Sequence, residues 1–541
     1  MRISKHKQDN IEVDEIFLDS ANLPGYDREN LEGTLENPIR KSFFLWLGWI
    51  FLIFGIIFAG KVSFLQIVRG AEFRERASKN YLKVITEYSA RGLIYDRDGK
   101  ALVKNIVLDG KLRRVYPSAG FLHVLGFKNE SGLEASYDEI LRGVQTKKAE
   151  EIDANGNSIS SGILEKGKPG KNIQTTLSSD LQTKFAEIIF STIKERGFLG
   201  GAGIILNPAD GEILALVSEP EFDPNILIFN PTEESVNKLL KDPGKPFFNR
   251  AVSGLYPPGS IVKPALAIAA LVENIISPNK KILSTGSISL PNPYNPIKPN
   301  VFLDWKAHGW VDMKEALAVS SDVYFYEIGG GYQDQKGLGP WNIKKYLAMF
   351  GFSSLSGIDL GGEARGHIPD PDEKQDGRDW TIGDTYNISI GQGDILVTPL
   401  QAAVYAMALA NKGDMSYPHI VKAILDQDKS IVEKFDYPPK QKINISSEVF
   451  DVARAGMRQA VLTGTAYGLA GLPVELAAKT GTAEIGDTDK VHSWSIGFFP
   501  YENPKYAYAV LMESGPRSNT IGATYVASQI IRWMLDTGFV R

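Results

Sequence analysis

Hydrophobic and polar positions change rhythm several times along the chain, and each change predicts an element. From Phe43 to Ala59, seventeen residues pass without a charge, between Arg40-Lys41 and Lys61. At about 1.5 Å per residue such a helix just spans a bilayer core, so residues 42–60 are expected to form a transmembrane helix. The run follows a long polar stretch, residues 1–41, and lacks a small-x-small cleavage site, which argues against a removed signal peptide. Apolar residues then recur at helical spacing through Phe64, Leu65 and Val68. Ala90 to Lys100 reads as a strand entering an Asp98-Gly99 turn. Gly110 to Gly170 mixes short apolar runs with Gly-rich breaks and reads as a small loop-rich domain.

Past Gly170 the signals sharpen. Ser179-Asp180-Leu181-Gln182 has capping-box spacing, with Leu181, Phe185, Ile188 and Ile189 on one face behind it. Residues 202–206 and 212–218 flank Asn207-Pro208-Ala209-Asp210-Gly211 and predict a β-hairpin. Ile261 to Ile276 predicts an apolar helix. Asp312 with Glu315 opens another, ending near Ser320. Thr398-Pro399-Leu400-Gln401 opens a third, which Asn411-Lys412-Gly413 stops. Ser493–Phe499 and Tyr506–Glu513 read as strands, and Thr524–Leu535 as a closing helix with Val526, Ile530, Ile531 and Met534 on one face. This order predicts an α+β domain, an antiparallel sheet with helices packed against it.

Composition narrows the function. Hydrophobic residues make up 43% of 541, enough for a large core, so global disorder is excluded. The net charge of −5 carries no basic excess, which argues against a nucleic-acid binder. Cysteine is absent, so there is no disulfide frame, thiol nucleophile or cysteine metal site.

The candidate chemistry begins at Tyr256-Pro257-Pro258-Gly259-Ser260-Ile261-Val262-Lys263. A serine at a helix start meets free backbone N–H groups and the positive end of the dipole. One helical turn brings the Lys263 amine back beside it, a nucleophile with a candidate base. Ser-x-x-Lys alone is a weak signal, since it recurs at Ser4, Ser191, Ser235 and Ser277. Two motifs downstream lift Ser260 above them: Ser320-Ser321-Asp322 and Lys479-Thr480-Gly481-Thr482. The three in this order mark penicillin-binding proteins and related β-lactamases.

The chain accordingly resembles a class B penicillin-binding protein of the elongation type, penicillin-binding protein 2, over roughly residues 61 to 541. The likeness extends to Arg91-Gly92-Leu93-Ile94-Tyr95-Asp96-Arg97, Gly357-Ile358-Asp359-Leu360, and Trp380 through Gly383-Asp384-Thr385-Tyr386-Asn387 to Gly391-Gln392-Gly393. It implies the transpeptidase fold of that family, with helices on both sheet faces, and a membrane-anchored D,D-transpeptidase of peptidoglycan. The implied organisation is a flexible cytoplasmic tail over 1–41, a transmembrane helix over 42–60, a shortened pedestal domain over 61–172 and a transpeptidase domain over 173–541. The basic residues flanking the span balance, Arg28, Arg40 and Lys41 against Lys61, Arg69 and Arg74, so charge does not orient it. The resemblance places the catalytic part outside the cytoplasmic membrane.

By the same resemblance Ser260 attacks the penultimate D-alanine carbonyl of a stem peptide and Lys263 takes its proton. Ser320 relays a proton to the leaving amine, with Asp322 beside it. Lys479, Thr480 and Thr482 hold the terminal carboxylate, and Gly481 keeps the strand edge open. The implied partners are peptidoglycan stem peptides and their lipid-linked precursor, β-lactams and a glycan polymerase of the SEDS type. No cofactor and no metal are expected. His308 matches a region where some members hold structural zinc, but no cysteine is available here. His492 reads as structural, and Gly329-Gly330-Gly331 as a flexible loop, since no Lys-Ser/Thr follows to make a phosphate cradle.

Two departures stand out. Asp322 replaces an Asn common in the wider superfamily, and a carboxylate beside Lys263 would weaken that amine as a base; pairing with Lys479, or protonation, would remove the conflict. Asn105 also reaches Arg113-Arg114-Val115-Tyr116-Pro117 in about eight residues, where relatives carry a long insertion. Two rival functions remain on sequence: a carboxypeptidase or β-lactamase of the same fold, and a weakly catalytic subunit whose pedestal activates a polymerase.

Overall fold

The computed structural model describes residues 41–540 apart from 88, 109, 117–118, 128–129, 153–157, 230, 293–294, 296, 374–377, 487 and 520. The tail expected over 1–41 therefore lies, save Lys41, outside the described residues. The chain divides into two compact units, one of residues up to 85 with 149–162, the other of 86–148 with 163 onward.

In the first unit, helix Lys41–Ser63 runs into a π-helical turn, Phe64–Val68, and then helix Gly70–Tyr81. The apolar part, Lys41–Val68, is the one helix among the described residues long and apolar enough to cross a membrane, and none of it is buried. It outruns the expected 42–60 because Lys61 does not end it. Lysine is a good helix former, and its stem can lie along apolar surface while the amine reaches polar surroundings. Leu82–Glu87 joins Thr146–Ile152 and Ser158–Glu165 in a three-stranded sheet.

The second unit is built on a five-stranded antiparallel sheet. Its strand order is Ala477–Glu484, Lys490–Phe499, Tyr506–Pro516, Gly200–Leu206, Ile213–Glu219. Successive side chains point to opposite faces. Ile204, Ala507, Ala509 and Leu511 join one core with helices Lys263–Val272 and Pro399–Ala410. Ile205, Tyr508, Val510 and Met512 join another with helices Ser179–Arg196 and Ala523–Asp536. With both faces covered, the central strands read as near-continuous apolar runs. That pattern is what made the hairpin and the last two strands legible.

A second, six-stranded sheet has the order Ile431–Lys434, Val421–Leu425, Asn172–Thr175, Ile94–Tyr95, Ala101–Leu108, Lys111–Val115. It takes strands from either side of residue 172, and the boundary expected at 172/173 falls inside one of them. The short link noted in the sequence is here a hairpin, with Leu108 opposite Lys111 and Asn105 opposite Arg114.

Capping boxes form at Asp312/Glu315 and Thr398/Gln401 as expected. The one expected at Ser179/Gln182 does not. Ser179 instead donates to Asp96 at 2.7 Å, and the Gln182 amide is spent on Gly120 and Leu216. Gly329 and Gly330 are not loop but the last turn of helix Asp322–Gly330. A Cβ on either would run into Ser389 or the Tyr386 ring, so these glycines serve close helix packing.

Candidate active site

Ser260 sits on a 3-10 turn, Gly259–Val262, that flows into helix Lys263–Val272. The helix stops short of the expected Ile276, and Asn274 already has a left-handed backbone, φ 53°. The Pro-Pro-Gly approach is pressed against the edge strand Ala477–Glu484. Gly259 has φ 56°, and a Cβ there would lie 2.7 Å from the Thr482 carbonyl oxygen. A Cβ on Gly481 would lie 2.8 Å from the Pro258 oxygen. Behind the turn, Gly391 accepts from the Gly259 N–H at 2.8 Å, with φ 76° and no room for a side chain. One glycine from each of three motifs thus lets three backbones meet beside the serine. At Gly259 and Gly391 only glycine combines the positive φ with the close approach, and at Gly481 the close approach alone excludes a side chain.

Ser320 closes helix Met313–Val319 in the left-handed conformation, φ 57° and ψ 43°. A non-glycine residue held there costs on the order of 1 kcal/mol or more. The conformation turns both of its oxygens toward the lysines. Lys263 Nζ donates to the Ser320 carbonyl at 2.9 Å, lies 3.4 Å from its Oγ, and donates to Asp322 Oδ1 at 2.6 Å. Lys479 Nζ donates to Ser320 Oγ at 2.8 Å and to the Thr480 carbonyl at 2.9 Å. Both lysines are fully buried. The Asp322 partner is therefore Lys263, not Lys479.

Burial first, and the charge of Lys263 second, push the Lys479 amine well below an ordinary lysine, with Asp322 only partly offsetting them. The contacts agree. Three acceptors surround Lys263 Nζ, matching the three donors of an ammonium. Lys479 Nζ has two, which leaves a neutral amine its lone pair. The Ser320 hydroxyl lies between the two nitrogens, a bridge along which a proton can pass.

Thr480 Oγ1 lies 2.7 Å from Thr465 Oγ1, and the Thr465 N–H donates to the Ala318 carbonyl. Thr465 thus ties the strand to the segment just before Ser320. Nothing in the sequence pattern singled it out. Thr482 is exposed at the cleft, and Gln392 Nε2 reaches its carbonyl at 3.5 Å. His492 is buried against Tyr256, its pKa pushed down to about 4, mainly by burial. His308 is buried beside Asp304, at 3.5 Å. Among the described residues no three His, Asp or Glu side chains form a metal-sized cluster.

The family model of the penicillin binding protein transpeptidase domain matches residues 201–532. The peptidoglycan D,D-transpeptidase MrdA of Haemophilus influenzae is 27% identical, over 92% of this chain and 91% of that protein. The MrdA of Escherichia coli K12 is 25% identical, over 92% and 94%. The crystal structure of Pseudomonas aeruginosa penicillin-binding protein 2 in complex with WCK 5153 superposes with a TM-score of 0.69. It is 29% identical, covering 85% of this chain and 97% of that one. With the three motifs folded into one cleft, these matches show that the chain belongs to the penicillin-binding protein transpeptidase family, among its MrdA-type members.

Proposed function

We propose that the chain is a peptidoglycan D,D-transpeptidase acting through a Ser260 acyl-enzyme. The observation that carries the reading is the convergence of two fully buried lysines, from motifs 216 residues apart, on the one Ser320 hydroxyl. In the resting site Lys263 is the ammonium paired with Asp322, and Lys479 the amine. The terminal carboxylate of a stem peptide docks at Lys479, Thr480 and Thr482. Its negative charge favours a protonated Lys479. Lys479 turns its lone pair to the Ser320 hydroxyl, which passes its proton to Lys479 and takes one from Lys263, and this leaves Lys263 a free base at the moment substrate is bound.

Lys263 then removes the Ser260 proton as Oγ adds to the penultimate D-alanine carbonyl. The close Gly259–Thr482 contact supports an oxyanion site between the N–H groups of Ser260 and Thr482, donors of the kind that supply much of catalysis. Collapse breaks the amide bond. The leaving amine gains its proton through Ser320, and D-alanine departs. An amine from a neighbouring stem attacks the ester, a new amide forms and Ser260 recovers its proton. The domain limits at 60/61 and 172/173, a cytoplasmic N-terminus and a SEDS-type polymerase partner belong to the same proposal, and rest on the resemblance.

The test is labelling by a fluorescent penicillin that does not cross membranes, applied to intact spheroplasts. Parent chain should be labelled and Ser260→Ala should not. Label that survives the substitution would mean another nucleophile, and label that appears only after lysis would reverse the topology. Incubating the purified chain with lipid-linked precursor and a polymerase should give cross-linked dimers. Release of D-alanine without dimers would make it a carboxypeptidase.

A further inference from the structure

Asp304 lies outside the three motifs, in a loop after strand Asn300–Leu303. Its side chain is fully buried. Hydroxyl and backbone N–H donors converge on it. Oδ2 accepts from Ser321 Oγ at 2.8 Å, from Ser284 Oγ at 3.1 Å and from the Val323 N–H at 3.0 Å. Oδ1 accepts from the Trp305 N–H at 2.8 Å, with His308 Nε2 at 3.5 Å.

We propose that Asp304 is a positioning residue for acyl transfer: it clasps Ser321 and the first turn of helix Asp322–Gly330, and through them holds Ser320 and Asp322 against the two lysines. The inference rests on the reading of Ser260, Lys263 and Lys479 as the catalytic groups.

Three observations carry it. The contacts fall on residues 321 and 323, which bracket Asp322, the Lys263 partner, and begin one residue after Ser320, the bridge to Lys479. The helix start needs help from outside, because its own cap, Ser321 to the Tyr324 N–H, is long at 3.3 Å. A carboxylate at that point satisfies an orphan N–H and the dipole together. Finally, the carboxylate is part of the lysine electrostatics. Burial works to raise it, but the Val323 N–H, the Ser321 hydroxyl, the Asp322 N–H and the Lys263 charge outweigh burial and keep it ionised. A plain buried cap would have no reason to stand under the second motif and feel the first motif's lysine.

Asn is the informative replacement. It keeps the shape but loses the charge, and its amide nitrogen must face either the Val323 N–H or the Trp305 N–H, donor against donor. A weakened clasp frees Ser320 and Asp322 to shift, and misplacement by about 1 Å can cost on the order of 100-fold in rate.

The experiment measures penicillin acylation of the full chain in detergent micelles, separating the dissociation constant from the acylation rate constant. Asp304→Asn should slow acylation at least tenfold while the dissociation constant stays within threefold. Ser321→Ala should slow it at least threefold, and adding it to Asp304→Asn should cost little more. Val526→Ala, in the core on the other side of the sheet, serves as the destabilised control, and should melt earlier yet acylate at the parent rate. Asp304→Asn acylating within twofold of parent, or slowing no more than Val526→Ala, overturns the proposal. Should Asp304→Asn not accumulate as folded protein, an unchanged rate in Ser321→Ala overturns it instead. A parent chain that takes no label, or a Ser260→Ala chain that does, would count against the function and not against the clasp.

Discussion

Replacing Lys479 with methionine tests the charge state assigned to the site. The lysine is fully buried, and its amine is held below the ordinary value by burial and by Lys263. A lysine depressed in the folded state takes up its proton more readily when unfolded. Between the depressed value and the ordinary value near 10.4, lower pH therefore favours the unfolded chain, by about 1.4 kcal/mol per pH unit. Methionine removes that cost. It also removes donations to Ser320 Oγ and the Thr480 carbonyl, worth about 1 kcal/mol each. Near pH 9 the two effects should roughly cancel. Three units lower, and for as long as the folded lysine stays neutral, the balance should have moved by about 4 kcal/mol in the variant's favour. For a domain this large that is several degrees in Tm, at about 2 °C per kcal/mol. The assay is the Tm of parent and Lys479→Met side by side in one detergent across that range. Groups common to both cancel in the difference. A gap that stays constant, or that shrinks as pH falls, would mean that Lys479 carries its proton in the resting enzyme, and the proton transfer from Lys263 would have to be abandoned.

Two further substitutions probe the walls of the site. Gly391→Ala places a Cβ inside the Gly259 backbone at a positive φ and should cost at least about 2 kcal/mol; it should also slow penicillin acylation more than an equally destabilising core change, and equal slowing of the two would make the glycine a packing residue only. Thr465→Val removes the hydroxyl beside Thr480 and should weaken binding of carboxylate-bearing penicillins about 3- to 10-fold, with Thr465→Val/Thr480→Val less than additive; additive losses would show that the two hydroxyls act independently.

What the sequence made legible was what repeats or what is chemically rare. The hairpin, the apolar central strands and two of the three capping boxes follow from period and local spacing, and the structure has them. Ser260, Lys263, Ser320 and Lys479 were legible as motifs, though only their joint order raised Ser-x-x-Lys above four chance matches. The Asp322 partner was not legible, because both lysines were chemically suitable and only the left-handed turn at Ser320 decides between them. Ser179 and Gln182 misled for the opposite reason. Their local spacing was right, but Asp96, 83 residues away, claimed the serine. Asp304 and Thr465 gave no signal, since a lone Asp or Thr in a loop has no period. Gly329 and Gly330 read as a flexible loop because the side chains that require their bareness come from residues 386 and 389.

The cleft also explains an arrangement that would otherwise be a fault. An edge strand with unpaired backbone groups invites association with other chains. At one edge of the central sheet, Ile213–Glu219 is buried along its whole length. At the other, Ala477–Glu484 starts buried but exposes Thr482 and Glu484. The Ser260 turn covers this edge at Gly481 and Thr482, through backbone contacts that only glycines allow. The remaining opening is therefore beside Ser260, where an extended peptide can add as a further strand. In the proposed reaction its carboxylate meets Lys479, the buried amine that folding alone would be better without. On that proposal stability is lowered at the edge and at the lysine for one purpose, and a substrate that is both extended and anionic relieves both. A variant that gained stability at Lys479 while keeping its acylation rate would break that link.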